Sequence, residues 1–125
     1  MADNPDMNLP GNVPVIPGET PQRRGAARRV QGRRAVAGTL YLTSLRLVFV
    51  PHPIARGLGG EAVQIALRDV EAVGRVPMPR GELLVAGPGD RLALVLTGGH
   101  VEHYRLPRLS AMITAIRAAR EAATG

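Results

Sequence analysis

Residues 37–50 read "AGTLYLTSLRLVFV", and this stretch restricts the fold more than any other. Leu40 and Leu42 alternate with Thr39, Tyr41 and Thr43, so one face is aliphatic and the other mixed. After a polar break at Thr43-Ser44, Leu47 and Phe49 again share a face. Period-two alternation on both sides of a short break predicts two adjacent antiparallel strands with one buried side. Pro51 and Pro53 end the second strand, because proline cannot donate to a ladder. Burying each of these four apolar side chains contributes roughly 1.5–3 kcal/mol, so the hairpin is expected to sit in the core.

The flanking segments extend the pattern. Residues 20–30, "TPQRRGAARRV", predict a first strand, and Gln31-Gly32-Arg33 a hairpin turn into a strand at 35–43. "IARGLGG" (54–60) is expected as a loop. Val63, Ile65 and Leu67 alternate in a fourth strand, and short strands are expected near 71–76 and 82–86. "RLALVLT" and "VEHYRL" flank Gly98-Gly99, a strong hairpin signal. The period then changes: Leu109, Met112, Ile113 and Ile116 form one stripe of a helix that starts at Pro107 or Ser110. Arg117 and Glu121 make an i, i+4 pair on it. About seven strands followed by one amphipathic helix predict a mainly β, α+β domain, with the helix packed on an antiparallel sheet. Residues 1–18, with four prolines and no apolar periodicity, are expected to be a flexible tail before a domain at 19–122.

Composition limits the chemistry. With aromatics at 2% of its 125 residues, the core must be aliphatic. There is no cysteine, hence no disulfide framework or thiolate. The N-terminal stretch lacks an apolar signal core, and no run approaches the roughly 18 apolar residues of a spanning helix. A cytoplasmic protein is expected, at most peripheral on the inner face of a membrane.

Charge is concentrated. All 16 basic residues are arginine, and six of them (Arg23, Arg24, Arg28, Arg29, Arg33 and Arg34) fall in an acid-free stretch at 20–34. The net charge of +6 maps to that segment, since the other arginines match the ten acids. Side chains alternate sides along a strand, so these doublets cannot all share one face of an unbroken strand. Either one arginine of each doublet faces inward at some cost, or the segment bends at Gly25 and Gly32; the bend is favoured, and it gathers Arg28, Arg29, Arg33 and Arg34 around a hairpin loop, with Arg23 and Arg24 secondary.

"GTLYLTSLRLVF" (38–49) resembles the signature hairpin of GRAM domains, and most of the chain is similar to small bacterial GRAM proteins. "PGE" (17–19), the arginine-rich approach at 23–38 and "VQIALRDVEAV" (63–73) agree with that likeness, which spans about 17–118. Many members carry an aromatic at the C-terminal helix; here "LPRLSAMI" makes the plug aliphatic. The resemblance implies a pleckstrin-homology-like, seven-stranded, bent antiparallel barrel capped by a C-terminal helix. It also implies contact with anionic lipid, such as phosphoinositide headgroups, near the loop joining the first two strands. Arg28, Arg29, Arg33 and Arg34 stand there. Arginine suits phosphate because its planar fork meets two oxygens at once.

Other functions find less support. The arginine segment has no interleaved aromatic for base stacking and no nucleic-acid-binding signature, so specific nucleic-acid recognition is not expected. His100 and His103 fall on opposite faces of a strand, and His52 is a lone loop histidine, so no metal site is expected. "GLGGE" (57–61) and "GPGD" (87–90) lack the strand-to-helix context of a phosphate cradle. Ser44 and Ser110 have no neighbouring base in the sequence. The reading is a non-enzymatic binding module with no cofactor. An adaptor that binds a protein partner along a sheet edge, or beside the helix, is the alternative.

Overall fold

A computed structural model describes residues 9–10, 13–31, 34–57, 60–77 and 90–124. Seven strands form one antiparallel sheet: β1 (Pro21–Gln31), β2 (Arg34–Thr43), β3 (Arg46–Pro51), β4 (Val63–Ala66), β5 (Val70–Val76), β6 (Arg91–Leu96) and β7 (Val101–Arg105). Their order is β4-β3-β2-β1-β7-β6-β5, so β4 and β5 are the edges of an open sheet. A short helix α1 (Pro53–Gly57) follows β3, a 3-10 turn (Leu67–Asp69) joins the two edge strands, and helix α2 (Leu109–Thr124) ends the chain. The strand expected at 82–86 lies outside the described residues.

The alternating pattern of 39–49 is realised as expected. Leu40, Leu42, Leu47 and Phe49 are all at most 1% exposed, and each faces its partner across the β2–β3 ladder. They join Ile65, Leu67, Leu92, Leu94 and the stripe of α2 in one core. Leu109, Met112, Ile113 and Ile116 are buried there, followed one turn later by Ala119. The helix lies against β5, β6 and the 3-10 turn. Arg117 and Arg120 donate to the Val73 and Glu71 carbonyls at 2.9 and 2.6 Å, which satisfies acceptors of an edge strand. Arg117 thus reaches the sheet, and its sequence pairing with Glu121 is not what holds it.

Two glycine positions show local necessity. A Cβ on Gly38 would lie 2.3 Å from the Val50 carbonyl oxygen, so only glycine allows β2 and β3 to approach there. Gly98 and Gly99 take φ of +95° and +92°, the conformation predicted for the β6–β7 hairpin.

Three features differ from expectation. Residues 54–57 of the expected loop belong to α1, which begins with Pro53 because proline's fixed φ suits a first helical position. β1 runs unbroken through Gly25, in register with β2 from Arg23 to Gln31, so there is no bend at Gly25. Gly32 and Arg33 lie outside the described residues. Finally, part of the expected tail is docked. Val13 is 8% exposed and packs with Leu9, Tyr41, Val48 and Val50 on the outer face of β2 and β3.

That docking has a polar anchor. Arg46 points outward from β3 and is 5% exposed. It donates to Glu19 through Nε and Nη2 (2.6 and 2.9 Å), to the Pro14 carbonyl (2.6 Å) and to Gln64 Oε1 (2.6 Å). The Thr43 hydroxyl donates to Glu19 at 2.7 Å and accepts the Leu45 and Arg46 amides, which fixes the β2–β3 turn. Burial would raise the Glu19 carboxyl's pKa, but hydrogen bonds from Arg46, the Ile16 amide and Thr43 hold it below the usual range. Arg46 stands at the β2–β3 turn, and its acid comes from elsewhere in the chain. The acid is Glu19, brought from before the first strand.

Candidate basic face on the first hairpin

Because β1 is unbroken, its arginine doublets split between the two sides of the sheet. Ala27 lies in the core and marks the inner side, which Arg23 and Arg29 share by alternation. Arg24 and Arg28 point outward and are exposed. Arg34, at the start of β2, is exposed and opposite Gln31, on the side of Arg29 by register. Arg33 is outside the described residues. The expected group of four is therefore divided: Arg28 stands on one side, Arg29 and Arg34 on the other.

Arg29 is occupied within the molecule. Its Nε and Nη2 donate to Glu102 of β7 at 2.8 and 3.1 Å, a two-point pair. Tyr104 donates its hydroxyl to the same carboxylate at 3.0 Å, and His100 Nε2 lies 2.6 Å from its other oxygen. Burial alone would push the Glu102 carboxyl up. The Arg29 bonds, then those of His100 and Tyr104, overcome it and bring the pKa down to about 2. Those same bonds from Glu102 strengthen Arg29's hold on its proton, against the opposing effect of burial. Tyr104 is pushed well above its usual range, first by burial and then by the adjacent carboxylate.

The outer side is different. Arg28 stands directly opposite Arg105 of β7, a like-charged cross-strand pair. Neither side chain makes an ion pair among the described residues, and Arg105 Nε is buried without a hydrogen-bond partner. Both line a groove of about 540 Å³, with His52 at its β3 end, Ala26 and Ala37 in its floor and Pro107 along a wall. A second, smaller groove of about 230 Å³ lies toward the other end of β1, lined by Arg23, Arg24 and Arg108. The docked N-terminal segment covers the neighbouring outer face of β2 and β3.

Sequence reasoning named Arg28 and missed Arg105 and His52. Arg105 is 77 positions from Arg28 in the chain, and only the β1–β7 register brings them together. No local signal reports that pairing. Among the described residues no group of three or more histidines and acids could hold a metal ion. Among them, too, no helix is long and apolar enough to cross a membrane.

No family model and no curated protein matches the chain. Solved structures do. The C-terminal domain of an unknown protein from Leishmania infantum is 12% identical, with a TM-score of 0.62 over 83% of this chain and 86% of that one. The Vps36 N-terminal PH domain is 15% identical, with a TM-score of 0.61 over 86% of this chain and 83% of that one. Similarity at this level establishes architecture alone: seven antiparallel strands and a C-terminal helix in a pleckstrin-homology-like fold.

Proposed function

We propose that the chain is a non-enzymatic binding module that associates weakly and reversibly with anionic lipid or phosphorylated headgroups through its first hairpin. The observation that carries this reading is the Arg28–Arg105 pair. Like charges opposed across two strands cost stability, and no acid compensates them among the described residues. An arrangement that costs the fold and faces solvent favours an anionic partner. The GRAM-like hairpin at 38–49 supports the same reading, as does the concentration of net charge in 20–34. On this reading the protein acts in the cytoplasm, at the inner face of a bacterial membrane.

The strength follows from simple arithmetic. Each arginine near an anionic leaflet contributes about 1 kcal/mol. Arg28 gives about 1 kcal/mol, and each further arginine that reaches the same leaflet as much again, roughly fivefold in affinity per residue. Arg29 is left out because Glu102 holds it. The test is co-sedimentation with phosphatidylserine-containing and neutral phosphatidylcholine vesicles at low and high salt. Salt-sensitive binding to the anionic vesicles alone, lost in the Arg28→Gln/Arg33→Gln/Arg34→Gln variant, is expected. Indifference to lipid charge overturns it.

A protein-binding adaptor is the second reading, favoured by one observation. A groove of about 510 Å³ beside the end of α2 is lined by Ile16, Leu45, Ala66 and Ala123. Ile16 and Leu45 are exposed apolar side chains there.

A further inference from the structure

We infer that the groove between Arg28 and Arg105 is a discrete site for a phosphate monoester, with His52 as a third contact. The inference rests on the anionic-ligand reading above and gives it an address on the outer wall, away from the hairpin tip.

Four observations converge on it. Directly opposite residues on paired antiparallel strands stand about 5 Å apart at Cα, so the two guanidinium groups rise from neighbouring positions. Neither has an acidic partner among the described residues, and one Arg105 nitrogen is both shielded from water and unpaired. A buried donor without an acceptor is costly, so this guanidinium sits in the wall with its internal pairing incomplete. The floor between them is small: Ala26 and Ala37 leave open a space of about 540 Å³. That is within the range of small-ligand pockets. His52 closes the β3 end, where its backbone amide donates to the Ala37 carbonyl at 2.9 Å and fixes its position.

Ligand chemistry follows from the donors. Two planar forks supply paired N–H groups and two positive charges, and no carboxylate lines the groove among the described residues. That set matches a doubly charged tetrahedral oxyanion with three free oxygens, better than a diester with two. A phosphate monoester provides these, whether it is a soluble metabolite or the terminal phosphate of a lipid.

The full chain, labelled with nitrogen-15, is titrated with inorganic phosphate at constant ionic strength set by sodium chloride. Saturable shifts of the Arg28, Ala37, His52 and Arg105 amides are expected. Arg105→Gln should weaken binding roughly ten- to hundredfold, since hydrogen bonds to a charged group are among the stronger kind. Ala37→Glu, which puts a carboxylate in the floor, should abolish it. Arg68→Gln, which removes an exposed arginine elsewhere on the surface, should leave it unchanged. Absence of saturable shifts, or equal weakening by the Arg105 and Arg68 variants, overturns the site.

Vesicles distinguish the source and the underlying reading. Tighter binding to phosphatidic acid than to phosphatidylserine, weakened by Arg105→Gln, assigns the site to a lipid monoester. Saturable phosphate binding without that vesicle preference assigns it to soluble phosphates. Vesicle binding that depends on Arg33 and Arg34 but not on Arg105, without phosphate shifts, removes the site and keeps the surface reading. Failure to bind any anionic vesicle removes the surface reading, and the phosphate titration still decides the groove.

Discussion

Two arginines, one buried and one partly buried, serve the fold itself. Arg46 and Arg29 are each held at two points by a buried carboxylate, Glu19 and Glu102. Removing one partner of such a pair leaves an unbalanced charge out of water, which costs more than the pair itself contributes. Arg46→Ala is therefore expected to destabilise the protein by about 3–5 kcal/mol in urea denaturation. Glu102 gives a pH signature. Its carboxyl titrates near pH 2 in the folded protein against an ordinary 4.5. A depressed carboxylate contributes fully above its unfolded value and loses that contribution as pH falls toward the folded one. Stability should thus fall between about pH 4.5 and 2 by an amount on the order of 3 kcal/mol. The Glu102→Gln variant should show a flatter curve over that window, measured by denaturation at stepped pH.

At the scale of elements, the hairpin and the helix were readable because their signals are local. Alternation in 39–49 and the stripe in 109–116 each report burial through neighbours a few positions away, and every residue they named is buried. The bend in β1 was misread for a reason of the same kind. Six arginines in one segment suggested that the chain must turn to keep them all in water, whereas Glu102, 73 positions away from Arg29, accepts the inward one. The short helix after β3 was hidden by its glycines and prolines. Gly38 was visible only as part of a motif, and its role is steric. Gly38→Ala would drive a methyl into the Val50 carbonyl and the Phe49 ring. Overpacking of this type costs typically 1–3 kcal/mol, and a fall in denaturation midpoint of that size is expected. The aliphatic plug behaves in the opposite sense: Ile116→Ala should leave a cavity and cost about 2–5 kcal/mol by the same measurement.

For the whole molecule, the outer surface of the sheet divides into two walls with different duties. Over β2 and β3, the segment ending at Glu19 covers Tyr41 and Val48 and is clamped by Arg46. Next to it, across β1 and β7, the wall carries arginines without acids among the described residues. Half of this division was legible beforehand. The surplus of charge located the basic wall to one segment, but its partner strand and the cover over the other wall depend on pairings between distant residues. Composition made 1–18 look like a tail because prolines break periodicity; Leu9, Val13 and the Pro14 carbonyl, with Glu19 just beyond, dock its last part. The division makes a separable prediction. Val13→Asp places a carboxylate where Val13 now packs on Tyr41 and Val48, and should cost roughly 2–3 kcal/mol through lost burial and charge desolvation. The basic wall is built from other strands, so phosphate and vesicle binding measured below the unfolding transition should match the parent chain. Loss of binding together with stability would mean that the two walls act as one.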